Sequence, residues 1–222
     1  MSLPAATSPA TGAAPVVGPV TIGALDLAAL LCSRVCHDLI SPVGAIVNGL
    51  EVLEEDKDEE TRTFALDLIK KSARQASAKL QFCRLAFGAA GSAGAQIETG
   101  DAEKVARGLI EDGKTTIVWN LPRELVAKNR VKLVLNMVLV ACSTIPRGGT
   151  VTVGAADGGY RVAATGLNAR LTTATAELLA GSPAQPVDAH AIQPVYTGIL
   201  ARDCGLTVST AVEGEAVVVA AR

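Results

Sequence analysis

Between Leu25 and Leu53, apolar or small residues recur at alternating steps of four and three: Leu25, Ala29, Cys32, Cys36, Leu39, Val43, Ile46, Leu50 and Leu53. Such spacing is a heptad seam along one side of an α-helix, and other helices must cover it. Leu66, Ile69, Ala73, Ala76, Leu80, Cys83 and Phe87 repeat the rule. The acidic, polar stretch from Glu54 to Glu60 interrupts it and reads as a short turn, so the two helices are antiparallel neighbours. One hairpin cannot bury both seams, whereas two hairpins packed as a four-helix bundle can. The expectation is a homodimer formed through residues 24–88.

The rest of the 222-residue chain reads differently. Residues 1–23 are rich in Ala, Pro, Thr and Gly, lack a basic leader and read as a disordered tail. Residues 89–100 are rich in Gly, Ala and Ser and read as a linker. Residues 101–222 alternate helix and strand. Helices are expected from Asp101 (as N-cap) to Asp112, Asn129 to Thr144, Leu171 to Ala180 and Gln193 to Cys204. A strand is expected at 115–120, and two hairpins turn at Asp157-Gly158-Gly159 and Glu213-Gly214-Glu215. The fold class is therefore α+β, with helices laid on one mainly antiparallel sheet.

Charge and composition narrow the partners. A formal net charge of -2 without a long basic run argues against a nucleic-acid ligand, and 3% aromatics leave little for base stacking. The longest apolar run, Leu133 to Ile145, is too short to span a bilayer, so no membrane span is expected. Five cysteines at irregular spacing suggest a reducing, cytoplasmic setting. Cys32, Cys36 and His37 do not converge as four zinc ligands would, so no metal site is assigned.

Chemistry concentrates in Arg34-Val35-Cys36-His37-Asp38-Leu39-Ile40-Ser41-Pro42. His37 lies one residue past seam position Cys36. Its neighbours a turn away are Ser33, Arg34 and Ser41, so its helix face is polar and small. A reachable imidazole can attack a phosphoryl group in line. Asp38 can hold one ring nitrogen and leave the other lone pair free, and Arg34 can steady phosphoryl oxygens. Pro42 has no N–H for the carbonyl of Asp38, which should bend the helix just past the histidine. A lone surface histidine carries no such inference. His190, the other of two histidines, sits in a Pro-flanked segment and is assigned no role.

His37-Asp38-Leu39-x-x-Pro42 on a heptad helix resembles the dimerisation and phosphotransfer hairpin of sensor histidine kinases. In that family the acidic residue after the histidine assists transfer, as Asp38 would. The polar residue four positions on, here Ser41, supports hydrolysis of the receiver's phosphate. The second half is similar to the kinase ATP-binding (Bergerat-like) domain, with losses. Asn136 matches the first Asn of the N box, but Val140 stands for the Mg²⁺-binding Asn and Ser143 for the Lys. Ala164-Thr165-Gly166-Leu167-Asn168 replaces Asp-x-Gly-x-Gly, and Thr197-Gly198-Ile199-Leu200 lacks the glycines of a phosphate lid.

An intact hairpin beside a degraded nucleotide site resembles the ChpT-type histidine phosphotransferases of alphaproteobacteria. The Leu80-Gln81-Phe82-x-Arg84-x-Ala86-Phe87-Gly88 segment also carries this likeness. The resemblance implies a cytoplasmic homodimer in a two-component phosphorelay that serves cell-cycle signalling. It implies that His37 passes phosphate from the receiver domain of a hybrid kinase to response regulators. It further implies no cofactor bound by this chain, with Mg²⁺ on the partner receiver. Arg161 and Arg170 are candidate contacts for an acidic receiver face. Two other readings are a non-catalytic dimeric receiver-binding adaptor and an ATP-dependent histidine kinase.

Overall fold

A computed structural model describes residues 22–88, 95–182 and 186–222. The expected tail, apart from 22–23, and residues 89–94 of the expected linker lie outside them. Helices α1 (Ala24–Glu55) and α2 (Glu59–Ala86) form an antiparallel hairpin. The connection is shorter than the sequence suggests, only Asp56, Lys57 and Asp58. Asp58 caps α2 by accepting from the N–H and hydroxyl of Thr61, both at 2.9 Å, so the helix starts at Glu59 despite the acidic run. Within one chain, the tightest packing runs through Pro42 and Gly49 of α1 and Ala65, Ser72, Ala76 and Phe82 of α2. Seam positions Val43, Leu50, Leu66 and Leu80 are left exposed, because a helix in a two-helix pair buries only the face toward its neighbour.

The expected linker needs correction at its end. Gln96–Glu98 is a strand (β1), and α3 (Thr99–Ile110) starts two residues ahead of the proposed Asp101 cap, which lies in its first turn. After β2 (Thr115–Trp119), strand β3 (Leu125–Ala127) pairs antiparallel with β1, a contact the sequence reading did not foresee. Next come α4 (Lys128–Ser143), β4 (Gly149–Ala156), β5 (Gly159–Thr165), α5 (Thr173–Ala180), α6 (Ile192–Asp203), β6 (Val208–Glu213) and β7 (Ala216–Ala221).

The main sheet has the order β2-β4-β5-β7-β6, parallel only between β2 and β4. Strand alternation sends Val151, Val153, Val162, Ala164, Val219 and Ala221 into the core, where α4 contributes Leu133, Met137 and Val140. Phe82 and Ala86 of α2 and Leu27 and Leu31 of α1 join the same cluster, so the hairpin is packed onto the α+β layers.

One correction concerns membranes. By length and composition alone, α1 is apolar enough to cross a bilayer, with a mean hydropathy of 1.4 over its most apolar window. Counting unbroken apolar residues missed this, because Ser33, Arg34, His37 and Asp38 interrupt the run while their apolar neighbours keep the window average high. The same helix lies along α2.

Candidate functional site

Pro42 sits inside α1 and removes the amide that would bond to the carbonyl of Asp38. The helix nevertheless continues from Ala24 to Glu55. Lys79 of α2 fills the gap by donating from Nζ to that carbonyl at 2.7 Å. The carboxylate of the same residue accepts from Arg34 Nε at 2.9 Å, one turn back along α1. A charge-assisted pair of this kind orients Asp38 even though it is partly open to water.

His37 follows from that anchoring. Its Nδ1 lies 3.8 Å from Asp38 Oδ1, too long for a hydrogen bond but close enough for the carboxylate to face that nitrogen. Its side chain is 63% exposed, so the imidazole is open to an incoming group. Ser41 is exposed one turn further along the face. The structure thus brings His37, Asp38 and Arg34 into one group and places Ser41 beside it. The carboxylate's field reaches α2, where the Cys83 thiol is pushed up to about 11, first by burial and then by Asp38.

Two neighbours escaped the sequence reading. Lys79 was discoverable, since Pro42 orphans a carbonyl and the antiparallel register puts α2 opposite it. His190 was not. It stands far along the chain from His37 and in no recognisable motif, yet its ring stands 4.9 Å from that of His37 at 82°.

 Only the tertiary fold brings the two histidines together.

The N-box positions of the second half are packed or bonded within the protein. Asn136 is fully buried, and its Nδ2 donates to the carbonyls of Ala86 at 3.1 Å and Lys132 at 2.7 Å. Its Oδ1 accepts from Gln193 Nε2 at 2.5 Å, so this side chain ties α4 to α2 and α6. Val140 is buried in the core, and Ser143 Oγ donates back to the Val140 carbonyl at 2.7 Å. Gly198 is the contact point between α6 and α5, since a Cβ there would meet the carbonyl oxygen of Leu179 at 2.3 Å. A cavity of about 170 Å³ remains, lined by Arg34, Val140, Ser143, His190 and Gln193 among others. Of the two arginines expected to face a receiver, Arg161 is ion-paired with Glu213 at 2.6 Å, and Arg170 is exposed.

Residues 99–216 match the family model described as the histidine phosphotransferase C-terminal domain. The chain is 50% identical over 208 residues to the protein phosphotransferase ChpT of Brucella abortus (strain 2308), covering 91% of this chain and 98% of that protein. It is also similar to a bacterial phosphotransferase solved at 1.7 Å, with a TM-score of 0.81 and 48% identity over 92% of this chain and 99% of that one.

Proposed function

The chain belongs to the ChpT-type histidine phosphotransferase family, and on that premise we propose that His37 is the residue that carries the phosphoryl group. The protein is a phosphotransferase of a phosphorelay. The donor in this reading is the aspartyl phosphate of a hybrid kinase receiver domain, and the acceptors are response regulators of a cell-cycle pathway.

The observation that carries the reading is the exposed imidazole of His37 with Nδ1 turned to Asp38. The Nε2 lone pair attacks phosphorus in line, a P–N bond forms, and the P–O bond to the receiver's aspartate breaks with its electron pair returning to that carboxylate. The proton stays on Nδ1, and the positive charge that develops on the ring faces Asp38, which Arg34 holds in place. Arg34, one helical turn before His37, also shares its charge with the incoming phosphoryl oxygens in this reading. Transfer to a second receiver reverses these steps. Mg²⁺ would be held by the receiver, and Ser41 would act on hydrolysis of the receiver's phosphate.

Direct use of ATP is disfavoured by the apolar Val140 at the metal position and by the absence of a carboxylate in Ala164–Asn168. The exposed apolar residues Val43, Val47, Leu50, Phe64, Leu66 and Leu80 of the hairpin support a homodimer. Covering the apolar stripe of α1 in that way also supports a soluble, cytoplasmic protein.

The test is a label chase with a phosphorylated receiver and, separately, with ATP. Label is expected to pass from the receiver to the wild type and not to His37→Ala, with none taken directly from ATP. Equal labelling of His37→Ala would remove His37 from the role.

A further inference from the structure

We propose that His190 is a positioning residue for the phosphoacceptor: its ring packs edge-on against His37 and holds the imidazole in one orientation. This rests on reading His37 as the phosphoacceptor.

The two ring centroids are 4.9 Å apart with planes at 82°, the edge-to-face geometry that aromatic rings favour. His190 is exposed, so core packing does not account for its place. The segment that presents it is anchored instead. Asp188 Oδ1 accepts from the N–H of His190 at 2.9 Å and of Ala191 at 2.8 Å. These bonds, with the Ala191 contribution first, hold the Asp188 carboxyl below its ordinary pKa. Three residues past His190, Gln193 is bonded to buried Asn136. The loop is thereby registered against α4, and α4 against the end of α2 through Asn136 and the carbonyl of Ala86. Arg34, which orients Asp38, lines the same small cavity as His190.

An exposed histidine on a helix samples about two χ1 wells and two ring orientations, roughly four arrangements in all. Only one of them turns Nδ1 to Asp38, the arrangement found here. The 3.8 Å approach to Asp38 is too long to select that arrangement by itself. A ring packed against His37 removes the others before the receiver arrives, which raises the fraction of productive encounters by up to about fourfold. The side chain of His37 remains 63% exposed, so the contact leaves a path for the phosphoryl group.

The experiment measures phosphoryl transfer from a phosphorylated receiver to the full chain in a single turnover, over a range of receiver concentrations. It compares wild type, His190→Ala, His190→Phe and His37→Ala. His190→Ala is expected to slow the saturated rate about twofold to fourfold with an unchanged half-saturating receiver concentration. His190→Phe, which keeps a ring but no ring nitrogen, is expected to restore it. The ring-proton NMR shifts of His37 should move in the Ala variant and return toward wild type in the Phe variant. A wild-type rate for His190→Ala overturns the proposal. So do equal losses in Ala and Phe, which would assign the effect to a ring nitrogen, and a change confined to half-saturation, which would make His190 a docking contact. Labelling of His37→Ala would instead overturn the acceptor assignment.

Discussion

Lys79 donates to the main-chain carbonyl of Asp38 at 2.7 Å, in place of the amide that Pro42 lacks. The carboxylate of Asp38 is meanwhile held by Arg34 at 2.9 Å. The residue after the phosphoacceptor is therefore gripped by its backbone from α2 and by its side chain from α1. A proline that would loosen the helix becomes a means of tying the two helices together beside His37.

Lys79→Met leaves that carbonyl without its donor and is expected to cost about 1–3 kcal/mol in urea unfolding at fixed protein concentration. Pro42→Ala restores an amide that can reach the same carbonyl. In that background the Lys79→Met cost should fall by about 1 kcal/mol. Equal costs in both backgrounds would show that Lys79 stabilises the hairpin by another route.

Gly198 and Gly108 should respond to alanine with opposite signs. At Gly198 a Cβ would lie 2.3 Å from the Leu179 carbonyl oxygen, so α6 must move off α5, at a cost of about 1–3 kcal/mol. At Gly108, inside α3, a Cβ meets nothing within 4 Å. Gly108→Ala should therefore gain about 0.5–1 kcal/mol from helix entropy alone. Thermal melts of the two variants measure both.

Asp58 supplies a pH-dependent contribution at the start of α2. The backbone N–H of Thr61, and then its hydroxyl, hold the Asp58 carboxyl below its ordinary value of 3.8. A lowered folded pKa means that the cap's stabilisation is fully present above 3.8 and is lost as pH falls through the folded value. Asp58→Ala should accordingly melt below wild type at pH 6, with the gap closing in acid. A gap that stays constant down to pH 2 would mean that the ionised carboxylate is not what caps the helix.

Much of the local architecture was legible because its determinants are near neighbours in the chain. The heptad steps mark both long helices. Asp157-Gly158 marks the β4–β5 hairpin, where φ is 45° and 80°, a left-handed pair that these residue types tolerate. Strands β1 and β3 were not legible. Each has three residues, too few to show an alternation, and their partners are distant in sequence. The start of α3 was misplaced for a related reason: Thr99 is fixed by a hydroxyl bond to the carbonyl of Pro122, which no local pattern announces.

By itself the sequence determined the helical hairpin, the α+β class of the second half, and the placing of His37, Asp38, Arg34 and Ser41 within two turns of one helix. These depend on residue type and on the 3.6-residue period, both of which are written along the chain. Tertiary structure alone decided which carbonyl Lys79 satisfies, that Asn136 became a buried tie, and that His190 came to rest against His37. Those contacts join segments far apart in the chain, and their geometry follows from how whole helices pack, a quantity that no local pattern encodes.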